Sequence, residues 1–227
     1  MTTPSDFDRD AIRAEFERER GYWRPWTETL LQERPSFLLS YARYAGHPAR
    51  TGPLSARMVE LIYVGLDASS SHLFESGLRV HMQKALETGA SRQDVFDVLH
   101  LVAAQGLECA VQGAAILAEE TADPHAVGRT SAWDWLAEQD PGYVEVSRNF
   151  VDDPASLQGL TTAERSLIQI ALNACFTAFN PQSLRHHIRQ GLALGLDTDQ
   201  MLQAIQLGAH LSVHGTALGA QVYASLT

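Results

Sequence analysis

Two histidines, His81 and His187, occupy equivalent places 106 positions apart, on the apolar stripes Leu78, His81, Met82, Ala85 and Leu184, His187, Ile188, Gly191. An imidazole turned inward on such a stripe can transfer a proton near neutral pH, or it can sit in the core bonded to a carbonyl or carboxylate. Around His81 the chain adds further titratable groups: Glu60 on the preceding helix, His72 and Glu75 at the start of its own helix, and Glu108 opening a later helix. The matching places in the second half hold Ser166, Ala178, Pro181 and His214. Carboxylates beside an imidazole suit general acid–base work, because unlike environments can drive two pKa values apart. Each group also has a structural reading: Glu75 favours a helix N-terminus, Glu60 can be solvated, and His72 can cap a helix. The cluster favours chemistry, with His81 as proton donor, Glu60 or Glu75 as its orienting partner, and His72 and Glu108 as substrate contacts. His187 and His214 are the second-half counterparts.

Other chemistries find less support. His210 and His214 have a spacing that allows two metal ligands, and His186 adjoins His187, but no carboxylate completes an HExxH arrangement, so no bound metal is expected. Lys84 is the chain's one lysine, and its counterpart is Gln190, which argues against a Schiff base. Walker, GxGxxG and GxSxG motifs are absent from the sequence, and no cofactor is expected. Cys109 and Cys175 form no CxxC pair and are expected to be small core residues.

The elements that must position these residues are helices. At an offset of 106, Leu54–Leu117 aligns with Leu160–Tyr223 without a gap, pairing Leu61 with Leu167, Ile62 with Ile168, Arg79 with Arg185 and Gly89 with Gly195. Leu54, Met58, Leu61, Ile62, Gly65 and Leu66 fall on one stripe at helical spacing. Thr161-x-x-Glu164 and Ser91-x-x-Asp94 have capping-box spacing, Asp197-x-x-Gln200 is a variant, and Gly89 and Gly195 stand where helices should stop. The expected fold is all-α: a helical extension at 1–26, a first repeat at 27–120, a linker at 121–132 and a second repeat at 133–227.

The 227 residues include 45% hydrophobic and 19% charged residues, enough to bury a core, and carry a net charge of −10. Such acidity opposes binding to nucleic acid. The N-terminus lacks a basic-then-apolar signal pattern, and no apolar run is expected to reach the roughly 18 residues a membrane span needs, so a cytoplasmic protein without a membrane partner is expected. The helix LHLVAAQGLECAVQGAAIL is apolar or small around most of its circumference, which points to a homo-oligomer, first a trimer of two-repeat chains and next a dimer.

The stretches ELIYVGLDASSSHLFESGLRVHMQKALETGASRQDVFDVL and RSLIQIALNACFTAFNPQSLRHHIRQGLALGLDTDQMLQAI resemble the carboxymuconolactone decarboxylase and alkylhydroperoxidase D superfamily. The shared pattern is a Leu-Ile helix, then a helix whose histidine is followed by Ala or Gly four residues later and Gly eight residues later, then a polar cap and another helix. The resemblance implies two tandem alkylhydroperoxidase D-like repeats, an all-α fold that oligomerises through its helices, and activity on a small molecule. Its peroxidase branch carries CxxC seven and four residues before the histidine, where this chain has Phe74 and Gly77, then Asn180 and Ser183. That departure argues against thiol peroxidase chemistry. Glu60 matches the upstream relay glutamate, whereas Gly77 and Ser183 also depart from the glutamate of the decarboxylase branch. His72–Arg79 resembles an HLYEPGLR-like stretch of tandem-repeat members. The activity implied is that of a cofactor-independent acid–base lyase on a small carboxylated lactone or related carbonyl compound; the alternative is a non-catalytic protein of the same fold that binds a small acid or serves assembly.

Overall fold

The computed structural model describes residues 8–121, 132–153 and 157–226, and none of these lies in a strand. Residues 122–131 of the expected linker fall outside them. In chain order the helices are α1 (Arg9–Arg20), α2 (Pro25–Glu33), α3 (Pro35–Thr51), α4 (Ala56–Ala68), α5 (Glu75–Glu87) and α6 (Arg92–Glu120). There follow α7 (Ala132–Gln139), α8 (Pro141–Val151), α9 (Thr162–Ala174), α10 (Pro181–Ala193), α11 (Thr198–Leu207), a 3-10 turn (Ala209–Ser212) and α12 (Val213–Leu226).

The offset of 106 recurs in these bounds, since α4 with α9 and α5 with α10 begin and end at matching positions. The local reasons were legible. Ser91 and Thr161 close capping boxes with Asp94 and Glu164, and Gly89 and Gly195 take left-handed φ angles of 98° and 83° just beyond α5 and α10. The third helix differs between the halves: α6 is continuous, whereas the matching span divides into α11, the 3-10 turn and α12. Gly208 stands at the break where α6 has Val102, and a glycine inside a helix costs about 1 kcal/mol relative to alanine. A Cβ at Gly208 would lie against Cys175 and Leu66.

Two cores hold the chain together. The larger joins the repeats through Leu61, Ile62 and Leu66 of α4, Ile168, Ile170 and Leu172 of α9, and Leu207 of α11. The smaller packs α1 and α2, through Phe16 and Trp26, on Leu38 and Tyr41 of α3 and Val213, Ala217 and Ala220 of α12. Packing is crossed: α2 of the first repeat lies on α12 of the second, and α7 of the second lies on α6 of the first. A polar clasp appears twice in the same exchanged sense. Asp97 accepts from the Gly159 and Leu160 amides at 2.8 and 2.9 Å, and its counterpart Gln203 accepts from the Leu54 amide at 2.7 Å while donating to the Pro48 carbonyl. Arg57 adds a one-sided ionic link, pairing with Asp94 at 2.8 Å and with Glu164 of the other repeat.

Two expectations need correction. Cys109 is exposed on α6, not buried, while Cys175 is in the core. Within its 29 residues α6 contains a window with a mean hydropathy of 1.5, long and apolar enough to cross a membrane by length and composition, of which 22% is buried. It packs along α4, α7, α8 and α9 and leaves Ile116 and Leu117 exposed.

A candidate acid–base site shared by the two repeats

Glu60, Tyr63 and Asp67 follow one another on α4 at spacings of three and four, which places them on one face of the helix. That face meets His81 of α5. Glu60 Oε2 lies 2.6 Å from His81 Nδ1, a charge-assisted hydrogen bond, and the Tyr63 ring packs against the imidazole with centroids 4.6 Å apart. With Nδ1 committed to Glu60, His81 Nε2 is the nitrogen left for a reacting group; it lies 4.0 Å from Asp67 Oδ2. The His81 and Glu60 side chains retain 19% and 16% of their exposure, so the pair is sheltered but not sealed.

The second repeat completes this site. His214 of α12 reaches His72, with Nδ1 2.8 Å from His72 Nε2, and Phe74 stacks on His214 at 3.7 Å between ring centroids. His210 of the 3-10 turn sits edge-on to Tyr63 and 3.1 Å from Arg20, which also donates to the Ala45 carbonyl. The turn Ser69–Phe74 holds His72 in place. The His72 and Leu73 amides both donate to the Ser69 carbonyl, and Leu73 takes a left-handed φ of 47°, a conformation that costs a non-glycine residue about 1–3 kcal/mol.

Electrostatics separate these groups. Burial, with the negative charge of Glu60, pushes the Asp67 carboxyl up to about 7. Burial lowers His72, and burial with the positive charge of His72, His81 and Arg20 lowers His214 to about 4. His210 is held well below the usual range by burial and by Arg20. Tyr63 is pushed up to about 12, chiefly by burial.

A second histidine–carboxylate pair lies in the equivalent place of the other repeat. His187 Nε2 is 2.8 Å from Glu108 Oε1. Burial works to raise the Glu108 carboxyl, but His187, with Ser183 and Asn173, outweighs it and keeps the group below its ordinary value. Gln112 donates to Asn180 and, at 3.2 Å, to Ser183.

The expected site residues therefore divide. Glu60, His81 and His72 come together in the first site, joined by His214, which the sequence placed only as a second-half counterpart. Glu108 belongs with His187, because α6 runs past α4 to α9 and delivers its second half to the other repeat. Glu75 is excluded as the partner of His81: it is exposed and pairs with Arg79 at 3.3 Å on the solvent face of α5. His210 and His214 do not form a metal-binding pair on one helix, since the 3-10 turn sends them to different neighbours. Asp67 and Arg20 were missed. The run ELIYVGLDA carries the signal for Asp67, an acid inside an otherwise apolar stretch and one turn beyond Tyr63. Gly77, at the place of the second cysteine in the peroxidase branch, is filled by its neighbours, as a Cβ there would collide with Asp67 Oδ2 and Phe74.

Two surface pockets lie elsewhere. One of about 420 Å³ lies between α6 and α8, beside Gly106 and Phe150. Another of about 350 Å³ lies between α3 and α12 and reaches His210 but not His81.

The described chain is thus all-α, and its crossed helices hold two histidine–glutamate pairs. Residues 35–120 match the model of the carboxymuconolactone decarboxylase family. The fold extends further: a solved structure from Burkholderia xenovorans, described as a gamma-carboxymuconolactone decarboxylase subunit, superposes with a TM-score of 0.85 over 97% of both chains at 24% identity. No curated protein matches the chain.

Proposed function

We propose that the chain is an acid–base lyase of decarboxylase type, acting on a small carboxylated lactone or related carbonyl compound at the His81 site. Loss of CO2 beside an unsaturated lactone leaves its electron pair in a dienolate, and His81 Nε2 delivers a proton to the carbon. Glu60 fixes the ring through Nδ1 and stabilises the imidazolium before transfer. The 2.6 Å Glu60–His81 bond, on a half-sheltered imidazole with its other nitrogen uncommitted, carries this reading. The family match over residues 35–120 and the structural neighbour support the decarboxylase class. The test is a panel of carboxylated lactones incubated with the full chain in D2O, reading CO2 release and deuterium at the product carbon. Turnover that His81→Ala and Glu60→Gln both abolish supports the proposal; a panel without turnover overturns it.

A second reading, a protein that binds a small acid without converting it, is favoured by one observation. Phe74 stacks on His214 and so covers one of the rings gathered at the site. Saturable binding of a panel compound without CO2 release would select it.

A further inference from the structure

Asp67 is the buried group that the His81–Glu60 pair does not use. It is 1% exposed, and neither carboxylate oxygen has a hydrogen-bond partner. Oδ1 lies 3.8 Å from His72 Nε2 and Oδ2 lies 4.0 Å from His81 Nε2, both beyond hydrogen-bond range. A carboxylate withdrawn from water without a donor is costly, and an unsatisfied group of this kind calls for a proton or a cation. The histidines beside it are placed for the cation. His72 and His214 turn Nε2 and Nδ1 toward one another, and one ligand atom from each of Asp67, His72 and His214 lies within 4.8 Å of the others. A single tetrahedral ion about 2.0–2.2 Å from each atom sets the ligand atoms roughly 3.3–3.6 Å apart, so the two rings must part slightly and the Asp67 carboxylate must close toward them.

We propose that Asp67, His72 and His214 form a site for one divalent transition-metal cation of the Zn2+ or Co2+ class. Two imidazoles and one carboxylate suit these borderline ions better than Mg2+ or Ca2+, which prefer all-oxygen shells. Three protein ligands leave a coordination position open, and an oxygen of a small carboxylate or carbonyl compound would fill it next to His81. The site is built across the repeats, since α4 and the following turn supply Asp67 and His72 while α12 supplies His214. It has no twin: the matching places hold Asn173, Ala178 and Glu108. This departs from the sequence, in which the three ligands lie too far apart to read as a set.

The inference stands apart from the lyase reading, because binding is measured without turnover. The full chain is stripped with a chelator and titrated with Co2+, followed by visible absorption, and with Zn2+ by calorimetry; metal retained after gel filtration is then counted. The expected result is one ion per chain, a visible Co2+ band and a raised melting temperature. Asp67→Asn, which keeps the side chain's shape, and His214→Ala should each weaken binding beyond the about 10–100-fold that loss of an outer-shell partner costs. Glu108→Gln should leave binding unchanged. If Asp67→Asn melts early, His72→Gln serves as the second ligand variant. Binding below one ion per chain at saturating Zn2+, or equal affinity in parent and folded ligand variants, overturns the proposal. A His81→Ala protein that is inactive yet binds Co2+ supports both proposals independently.

Discussion

His81 and His187 sit at the same place in two copies of one helical unit, yet each is held through a different nitrogen by a carboxylate from a different source. His81 bonds through Nδ1 to Glu60 of its own repeat, and Nε2 stays uncommitted. His187 bonds through Nε2 to Glu108 of the other repeat, and Nδ1 is buried without a partner. Where the first site has Glu60, the second has Ser166, which bonds to Gln190 at 3.2 Å. The scaffold therefore accepts a carboxylate from α4 or from the facing long helix, and the choice decides which face of the ring is free. On the proposed function, the ring tied to Glu108 through Nε2 would serve packing, and the ring tied through Nδ1 would keep Nε2 for proton transfer.

The sharpest way to break this distinction is to remove each histidine. His81→Ala should lower turnover by about 10²–10⁴, the range a positioned acid or base supplies, with melting preserved. His187→Ala should leave kcat within a few-fold and lower the melting temperature instead. Equal loss of activity in both, at unchanged melting, would show that the sites are equivalent.

The next largest effect is expected at Gly77. An added Cβ would meet Asp67 and Phe74, so Gly77→Ala forces the carboxylate off its place, with overpacking that costs about 1–3 kcal/mol. The counterpart change, Ser183→Ala, removes a hydroxyl that accepts from Gln112 and helps hold the Glu108 carboxyl, without adding an atom to a filled space, and should cost less. Paired thermal melts of the two variants check this, and a larger loss from Ser183→Ala would invert the comparison.

Removing the carboxylate of the second site tests its structural role. Glu108→Gln replaces a charged acceptor of the His187 bond with a neutral one and should cost about 1–2 kcal/mol of stability while sparing turnover at His81. Denaturant unfolding with a parallel activity assay separates these effects. Loss of activity at full stability would give Glu108 back the substrate role its sequence position suggested.

Periodicity, caps and the gapless offset made the helices legible, because these are local signals that recur in both copies. The site was legible only in part. Glu60, His72 and His81 lie within 22 residues of one another, on adjacent helices that a short turn folds face to face. Glu108 and His214 were assigned to the wrong partners because repeat alignment pairs them by position, whereas the helices that carry them cross to the opposite repeat. Asp67 stayed hidden because one acid in an apolar run reads as a solvated edge until the fold buries it.

The smallest expected effect concerns the ionic link that only one half possesses. Arg57, Asp94 and Glu164 have Ala163, Gln200 and Met58 at their matching positions. Burial works to raise Asp94 and Glu164. Hydrogen bonds from Arg57, with the Ser91 amide for Asp94 and the Thr161 amide for Glu164, outweigh it and hold both carboxyls below their ordinary values. A carboxyl whose folded value is depressed adds stability above its unfolded value, about 4 for these groups, and loses it as pH falls through the folded value. Arg57→Ala should therefore lower the melting temperature at pH 7 by about 2–4 °C, for about 1 kcal/mol in a chain of this size. Parent and variant should converge as the pH is lowered below 4, since both carboxylates are then being protonated with or without their partner. Melting curves from pH 7 to 3 read this directly. A gap that persists undiminished at pH 3 would mean that Arg57 acts by packing its stem between the repeats, and the asymmetry of the link would then be steric, not ionic.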